Sequence, residues 1–449
     1  MKGIKGWLAL LLTSTTLSTT VLAEESILPA GTQEPVATEV AAEGATTAPT
    51  KKGELNVPAK AAIAVDCESG QILYKKNIDQ ALPIASMTKM ISCAIIIDAI
   101  NNGTLSWDEE ITISSEMATL SDNQELSNVP LIAGVAYSVQ DLFNATIVQS
   151  ANAAVMALAN KVAGSQAKFV TLMQEKLKEW GIKDAHIVTT SGLNNEYLSD
   201  TMRIKGTGAT DENKMTARDM AIVAQHMVND YPDYMKVARQ SVVTFAKGTE
   251  SAQDMTNWNQ MLPNQPVYTE GVTGLKTGTT EQAGACFAGS IEKNGFKVAT
   301  VVMNVDNGIT DKTARFTATR DLMNYVYEHY EQKQIIKKGE QIKGLATATV
   351  PEGKEGEVPL VSQNNVNVVV KKGEKPNYTI ENIKKEKLLT PVRKGEKAAT
   401  FQVKLKDTLG YIDDKESYQY TAVTNAEDEK ANLFVLGFRH VKQWFSQLF

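Results

Sequence analysis

Two periods of apolar and polar residues alternate along this chain, and the places where one gives way to the other mark its elements. The run Met90-Ile91-Ser92-Cys93-Ala94-Ile95-Ile96-Ile97-Asp98-Ala99-Ile100 is almost wholly apolar and is closed by Asn101-Asn102-Gly103. It predicts a buried helix entered shortly after Pro83. Ahead of it, Ala61–Asp66 and Gln71–Tyr74 flank Glu68-Ser69-Gly70 and read as two strands joined by a turn. The stretch from Leu105 to Leu120 is mixed. Helical spacing returns after Tyr137, with Ser138 as cap, and again through the small-residue stretch Ser150–Asn160. It recurs from Phe169 to Trp180, ending at Gly181, and from Thr216 to about Asn229. Strand patterns follow at Ser241–Phe245, Gly274–Thr277, Ala285–Ile291 and Phe296–Asn304, before a long helix over Lys312–Tyr330. Helices in the middle and strands on both flanks predict a sheet assembled from both ends of one α/β (α+β) domain.

The pattern changes after about Lys333. Short β-type runs, such as Val366–Val370, Thr400–Leu405 and Tyr418–Val423, sit between Gly-, Pro- and Lys-rich turns and predict a small all-β domain. At the C-terminus Phe434, Phe438, Val441, Phe445 and Leu448 step by 4, 3, 4 and 3 and share one helical face, with Arg439, Gln443, Ser446 and Gln447 on the other side. That is the pattern of a helix lying in a membrane interface; the alternative is a helix packed on protein. At the other end, Lys2 and Lys5 precede the apolar Trp7–Leu12, and Val21-Leu22-Ala23 offers a cleavage point, as in a secretion signal. An Ala-, Thr-, Glu- and Pro-rich stretch without hydrophobic period follows. The expected organisation is a signal peptide over 1–23, a disordered leader over 24–55, a catalytic domain over 56–332, a β-rich domain over 333–425 and an amphipathic helix over 431–449.

Composition narrows the function. Hydrophobic content of 43% and charged content of 22% are ordinary for a globular protein, and a net charge of −6 does not suggest nucleic-acid binding. The three cysteines, Cys67, Cys93 and Cys286, are too few and too scattered for a disulfide framework or a zinc cluster, and each lies in an apolar segment. The four histidines are all distant in sequence, so no two-histidine metal helix is expected. No metal or other cofactor is expected.

Candidate chemistry centres on Ser86-Met87-Thr88-Lys89, at the mouth of the buried helix. A helix places Ser86 and Lys89 on one face. Taken alone, the pair also fits a capping serine with a solvated lysine, and Ser-x-x-Lys recurs at Ser165–Lys168 and Ser290–Lys293. Ser-x-Asn likewise occurs at Ser121–Asn123, Ser150–Asn152 and Ser362–Asn364, whereas Lys276-Thr277-Gly278 occurs once. The informative feature is the set, Ser-x-x-Lys, Ser-x-Asn, Lys-Thr-Gly, in that order in one exported domain. Ser86 needs a base, and Lys89 serves only if neutral; burial and a second cation, Lys276, would both lower its pKa.

In this set the chain resembles the serine penicillin-binding proteins and β-lactamases. Asp66–Tyr74, Pro83-Ile84-Ala85 before Ser86, and Ser191-Gly192-Leu193 make it look like the low-molecular-weight D-alanyl-D-alanine carboxypeptidases. The resemblance implies a transpeptidase-like domain with a central antiparallel sheet and a helical subdomain. It implies acylation of Ser86 by a peptidoglycan stem peptide ending in D-Ala-D-Ala, with β-lactams as covalent inhibitors, at the extracytoplasmic face of a bacterial membrane. In such a site Ser150 would relay the proton, and Asn152 would orient Lys89 and donate to the acyl-side carbonyl. The backbone N–H groups of Ser86 and Thr279 would hold the oxyanion. Lys276, Thr277 and Thr279 would hold the substrate carboxylate, and Gly278 would leave room for the substrate backbone. The spacing from Ser86 favours Ser150 over Ser121. No Lys or Arg lies between Lys247 and Lys276, so an extra basic clamp ahead of the third motif is missing. The rivals are a β-lactamase and a catalytically silent cell-wall scaffold. Against the first, Glu125-Leu126-Ser127-Asn128 precedes Ser150, and no comparable deacylation segment follows it.

Overall fold

The computed structural model describes residues 55–413 and 418–446, so the expected signal peptide and nearly all of the expected leader lie outside the described residues. Five strands form the central sheet: β1 (Ala59–Asp66), β2 (Ile72–Lys76), β3 (Val272–Thr280), β4 (Gly284–Lys293) and β5 (Phe296–Val305). Their order is β2-β1-β5-β4-β3, antiparallel throughout, so β3 is an edge strand. The chain enters through β1 and β2 and closes the sheet with β3–β5 about 200 residues later, as its two flanks of strand pattern anticipate.

Both faces of the sheet are covered. Ala61, Ile63 and Val65 of β1 face the helical subdomain, while Ala62 and Ala64 face the other side. A strand buried on both faces reads as a continuous apolar run, as β1 does. The helical subdomain is built mainly from α1 (Lys89–Asn101), α2 (Val139–Val148), α3 (Asn152–Ala163), α4 (Gln166–Glu179) and α5 (Ala217–Asp230). On the opposite face α6 (Ala314–His329) packs Phe316, Leu322, Met323 and Val326 into the second core. Helix α1 is buried almost all round, including Ile91, Ile95, Ile96 and Ile97. Burial of each such isoleucine contributes about 1.5–3 kcal/mol, which makes α1 a rigid mount for its first turn. Ser138 caps α2, and Thr216 opens α5 in a capping box with Asp219.

Three sequence expectations shift. The mixed stretch resolves into a strand, Glu110–Thr112, and a helix, Ser115–Ser121. The strand Val242–Phe245 pairs with Gln253–Thr256 as a separate hairpin and not in the central sheet. Ser150 does not open α3, which begins at Asn152; Ser150 stands two residues ahead in a left-handed conformation, φ +57°.

The chain runs straight from α6 into the strand Tyr330–Ile336, which pairs with Val366–Lys371, so the boundary expected between 332 and 333 falls inside a strand. A second five-stranded antiparallel sheet follows, ordered Thr347–Thr349, Glu357–Ser362, Tyr418–Thr424, Lys397–Leu405, Tyr378–Lys385. Glu68 Oε2 accepts from Gln332 Nε2 at 2.9 Å and from Asn367 Nδ2 at 3.2 Å, tying the β1–β2 turn to this part. Helix α7 (Leu433–Ser446) is held by Arg439, whose guanidinium donates to the carbonyls of Gly353 at 2.6 Å and Lys354 at 2.8 Å. Phe434 and Phe438 of its apolar face remain 91% and 73% exposed. Side chains from His440 onward lie outside what is described. Among the described residues no helix is long and apolar enough to cross a membrane.

Candidate active site

A single 3-10 turn, Ala85–Thr88, leads into α1 and carries Ser86 at its outer side. Ser86 is half-buried, whereas Lys89, one turn on, is fully buried. Lys89 Nζ lies 2.9 Å from Ser86 Oγ, 2.7 Å from Asn152 Oδ1 and 2.7 Å from the Ser191 carbonyl oxygen. An ammonium donates to all three. A free amine has two N–H groups for the two carbonyl oxygens and one lone pair, which is left to accept the Ser86 hydroxyl proton. Burial holds Lys89 well below the ordinary lysine range, and the Lys276 ammonium lowers it further.

Asn152 is the first residue of α3, so its place is set by the helix start. Its Oδ1 accepts from Lys89 Nζ, while Nδ2 donates to the Ser127 carbonyl at 2.9 Å. Ser150 is buried, and its hydroxyl has no hydrogen-bond partner among the described residues. It lies one residue ahead of Ala151, the N-cap of α3.

The third motif lies on β3. Lys276 is 2% exposed, and burial pulls it down to about 7, with the Cys93 thiol opposing and Arg315 reinforcing that shift. Its Nζ donates to the Thr277 carbonyl at 3.2 Å. Thr277 is half-buried and Thr279 exposed. Gly278 also faces the nucleophile turn. A Cβ there would stand 2.7 Å from the Ile84 carbonyl oxygen and 3.2 Å from Ala85 Cβ, so the missing side chain lets β3 close on the nucleophile turn.

The competing motifs have structural roles. Ser165 caps α4, accepting from Lys168 N at 3.3 Å. Ser290 lies on β4 with its Oγ 2.7 Å from Thr273 Oγ1. Ser121 accepts from Leu131 N at 2.9 Å, and Ser362 Oγ donates to the Asn364 carbonyl at 2.7 Å. Cys67, Cys93 and Cys286 are buried free thiols, and the described residues hold no His/Cys/Asp/Glu group that could bind a metal.

The family model for D-alanyl-D-alanine carboxypeptidase matches residues 45–307. The chain belongs to this family. A second family model, Penicillin-binding protein 5, C-terminal domain, matches residues 330–430 of the carboxypeptidase. Curated relatives include the D-alanyl-D-alanine carboxypeptidase DacF of Bacillus subtilis, 26% identical over 79% of this chain and 83% of its own. Another is DacC of Escherichia coli, 28% identical over 78% and 81%. Among solved structures, a peptidoglycan synthesis regulatory factor (PBP3) from Streptococcus pneumoniae is 35% identical, with a TM-score of 0.74 over 83% of this chain and 100% of that one. The fold is thus a transpeptidase-like domain followed by an all-β domain.

Several residues outside the three motifs support the site in the carboxypeptidase. The segment Glu125–Asn128, noted only as a poor deacylation candidate, closes over the second motif. Ser127 O accepts from both N and Nδ2 of Asn152, and Asn128 Oδ1 accepts from Ala153 N. Asn213 is fully buried; its carbonyl accepts from Ile84 N at 3.0 Å and its Nδ2 donates to Thr88 Oγ1 at 3.0 Å. Gly192 is left-handed and seated against Ala85, so a side chain there would collide with the Ala85 carbonyl. Arg315 of α6 is buried and donates to the carbonyls of Gly278 at 2.9 Å and Cys286 at 3.1 Å. Of these, Gly192 lies in the Ser191-Gly192-Leu193 segment noted in the sequence, whereas nothing around Asn213 or Arg315 marks them there.

Proposed function

We propose that this serine D-alanyl-D-alanine carboxypeptidase uses Ser86 as nucleophile, Lys89 as its base, Ser150 as proton relay and Asn152 as the group that orients Lys89. The observation that carries the assignment is the Lys89 amine, fully buried and 2.9 Å from Ser86 Oγ. Ser86 O–H gives its proton to Lys89 as Oγ bonds to the carbonyl carbon of the terminal D-Ala-D-Ala peptide. The resulting oxyanion is held by the N–H groups of Ser86 and Thr279. As the C–N bond breaks, the proton passes through Lys89 and Ser150 to the leaving amine, and D-alanine departs. Water then cleaves the Ser86 ester and restores the hydroxyl. Lys276, Thr277 and Thr279 hold the terminal carboxylate, and Gly278 allows β3 to approach. β-Lactams present a similar acyl group and acylate Ser86.

Intact-mass spectrometry after penicillin treatment tests the nucleophile, alongside D-alanine release from a pentapeptide. A single adduct on wild type and none on Ser86→Ala is expected; an adduct surviving in Ser86→Ala overturns it. Rapid penicillin turnover would instead favour the β-lactamase reading. D-alanine release by wild type excludes a silent scaffold.

The same reading places the mature chain outside the cytoplasm, bound to the membrane surface through α7. The signal-like residues 1–23 and the exposed Phe434 and Phe438 support it. Sedimentation with phosphatidylglycerol-containing vesicles should be lost in a chain ending at Asn425; equal sedimentation of both chains removes the anchor.

A further inference from the structure

The two N–H groups expected to hold the oxyanion belong to different elements, the Ser86 turn and the edge strand β3. Their spacing therefore depends on whatever joins those elements. One two-residue segment, Glu212-Asn213, touches both. Asn213 holds the turn through Ile84 N and Thr88 Oγ1. Glu212 holds the strand: its Oε2 accepts from Thr280 Oγ1 at 2.7 Å, and Thr280 Oγ1 accepts in turn from Ala283 N at 3.0 Å.

Glu212 is not a surface acid. It is 1% exposed, and its Oε1 is buried with no hydrogen-bond partner among the described residues. Burial raises its pKa, and Glu196 adds to that, while the Thr280 bond and Lys214 oppose it. Holding an acid there against desolvation points to a positional role for its bond to Thr280.

The geometry of β3 shows what that bond governs. Arg315 reaches the carbonyls of both Gly278 and Cys286, which are register partners on β3 and β4. Their polar groups therefore turn into the ladder. On an edge strand the alternate residues, Thr277 and Thr279, then turn theirs outward into the cleft. Thr280, which Glu212 grips, directly follows Thr279.

We propose that Glu212 is a positioning residue for acylation. Through Thr280 it fixes the outer end of β3, and through its neighbour Asn213 it fixes that strand's distance from Ser86. This rests on the assignment of Ser86 as nucleophile and of the Ser86 and Thr279 N–H groups as oxyanion donors. The segment is remote in sequence from all three motifs, yet it sets the gap between two of them.

Four variants test it: Glu212→Ala, Glu212→Gln, Thr280→Val and the double Glu212→Ala/Thr280→Val. The readouts are kcat and KM for D-alanine release and the second-order rate of acylation by a fluorescent penicillin. Glu212→Ala and Thr280→Val should each lower kcat and acylation by about 10- to 100-fold with KM little changed, the scale expected for a misplaced reacting group. The double variant should be no worse than Thr280→Val alone, because both substitutions remove the Glu212–Thr280 bond and only Thr280→Val also removes the acceptor of Ala283 N. Glu212→Gln keeps an acceptor for Thr280 and should stay within about threefold of wild type. Thr280→Val removes one hydroxyl at nearly constant volume and carries the test if Glu212→Ala fails to fold. Additive losses, full acylation by Thr280→Val, or a Gln variant as poor as Ala each overturn the inference. A wild-type chain that forms no penicillin adduct would instead sink the underlying assignment.

Discussion

Replacing Gly278 by alanine isolates the contact between the third motif and the nucleophile turn. The backbone at Gly278 is one that alanine can adopt, so the effect comes from the added methyl group alone. That methyl would lie 2.7 Å from the Ile84 carbonyl oxygen, 3.2 Å from Ala85 Cβ and 3.3 Å from Met87 Cγ. Carbon–oxygen contacts settle at about 3.3–3.6 Å, so strand and turn must part by roughly half an ångström. Both are backbone held by hydrogen bonds, so neither yields freely. Overpacking of this kind costs about 1–3 kcal/mol, and the melting temperature should fall by about 2–4 °C for each kcal/mol. The same displacement separates the expected oxyanion donors. A misplacement of about 1 Å costs on the order of 100-fold in rate, so half of that should cost about tenfold in penicillin acylation. Stopped-flow acylation and thermal denaturation on the same preparation give both numbers. If Gly278 served only to clear the substrate backbone, KM would rise and melting would not change. Wild-type acylation with unchanged melting would refute the packing argument altogether.

Three other substitutions probe the proton path. Lys276→Gln removes a cation that disfavours protonated Lys89, so the pKa of Lys89 should rise and the limb of increasing acylation should move to higher pH; a shift to lower pH, or none, contradicts the coupling. Asn152→Asp keeps an oxygen acceptor but places a negative charge on Lys89, which should trap the proton there. Its acylation limb should move to alkaline pH, whereas loss of the Ser127 contact alone would depress the rate evenly at all pH values. Ser150→Ala removes a hydroxyl without a resting partner, so stability measured by denaturant should change by no more than about 0.5 kcal/mol. Acylation and deacylation should nevertheless fall by about 100-fold or more if Ser150 relays the proton, and unchanged rates would remove it from the path.

The sequence carried the parts of this molecule that follow from periodicity and from short-range chemistry. Helix α1 was visible because an apolar run of its length, closed by Asn-Asn-Gly, has few other ways to fold, and α5 because Thr216 and Asp219 form a capping box. The order of the three motifs separated Ser86 from Ser165 and Ser290, neither of which meets a lysine amine. What stayed hidden depends on contacts between distant segments. Nothing local marks the contact made by Ser127, and the Ser191-Gly192-Leu193 segment does not show that Ser191 reaches Lys89, because each contributes a backbone carbonyl that any residue could supply. Asn213 and Glu212 sit in a polar stretch that reads as loop until β3 and the nucleophile turn are brought against it. The packing of Gly278 against the nucleophile turn stayed hidden for the same reason. A glycine's purpose depends on the neighbour its missing side chain admits, and that neighbour, Ile84, is nearly 200 residues away.

In the proposed mechanism Lys89 takes a proton and then returns it, so it has to be accommodated in both states. Asn152 Oδ1 and the Ser191 carbonyl are fixed acceptors that claim two N–H groups in either state. In the free amine this leaves the lone pair directed at Ser86, the one remaining contact of Nζ. Once protonated, the third N–H occupies that same direction and faces the Ser86 oxygen. No heavy atom has to move between the states, which is the condition for stabilisation without reorganisation. A carboxylate partner would break this symmetry by holding the proton, and none of the described ion pairs includes Lys89 or Lys276. The charges that do act on the site, Lys276 and behind it Arg315, are cations. They depress Lys89 and at the same time favour the anions of the reaction, the oxyanion and the terminal carboxylate. On the proposed roles, the field that activates the base also binds the substrate, which gives the third motif a reason to lie against the first.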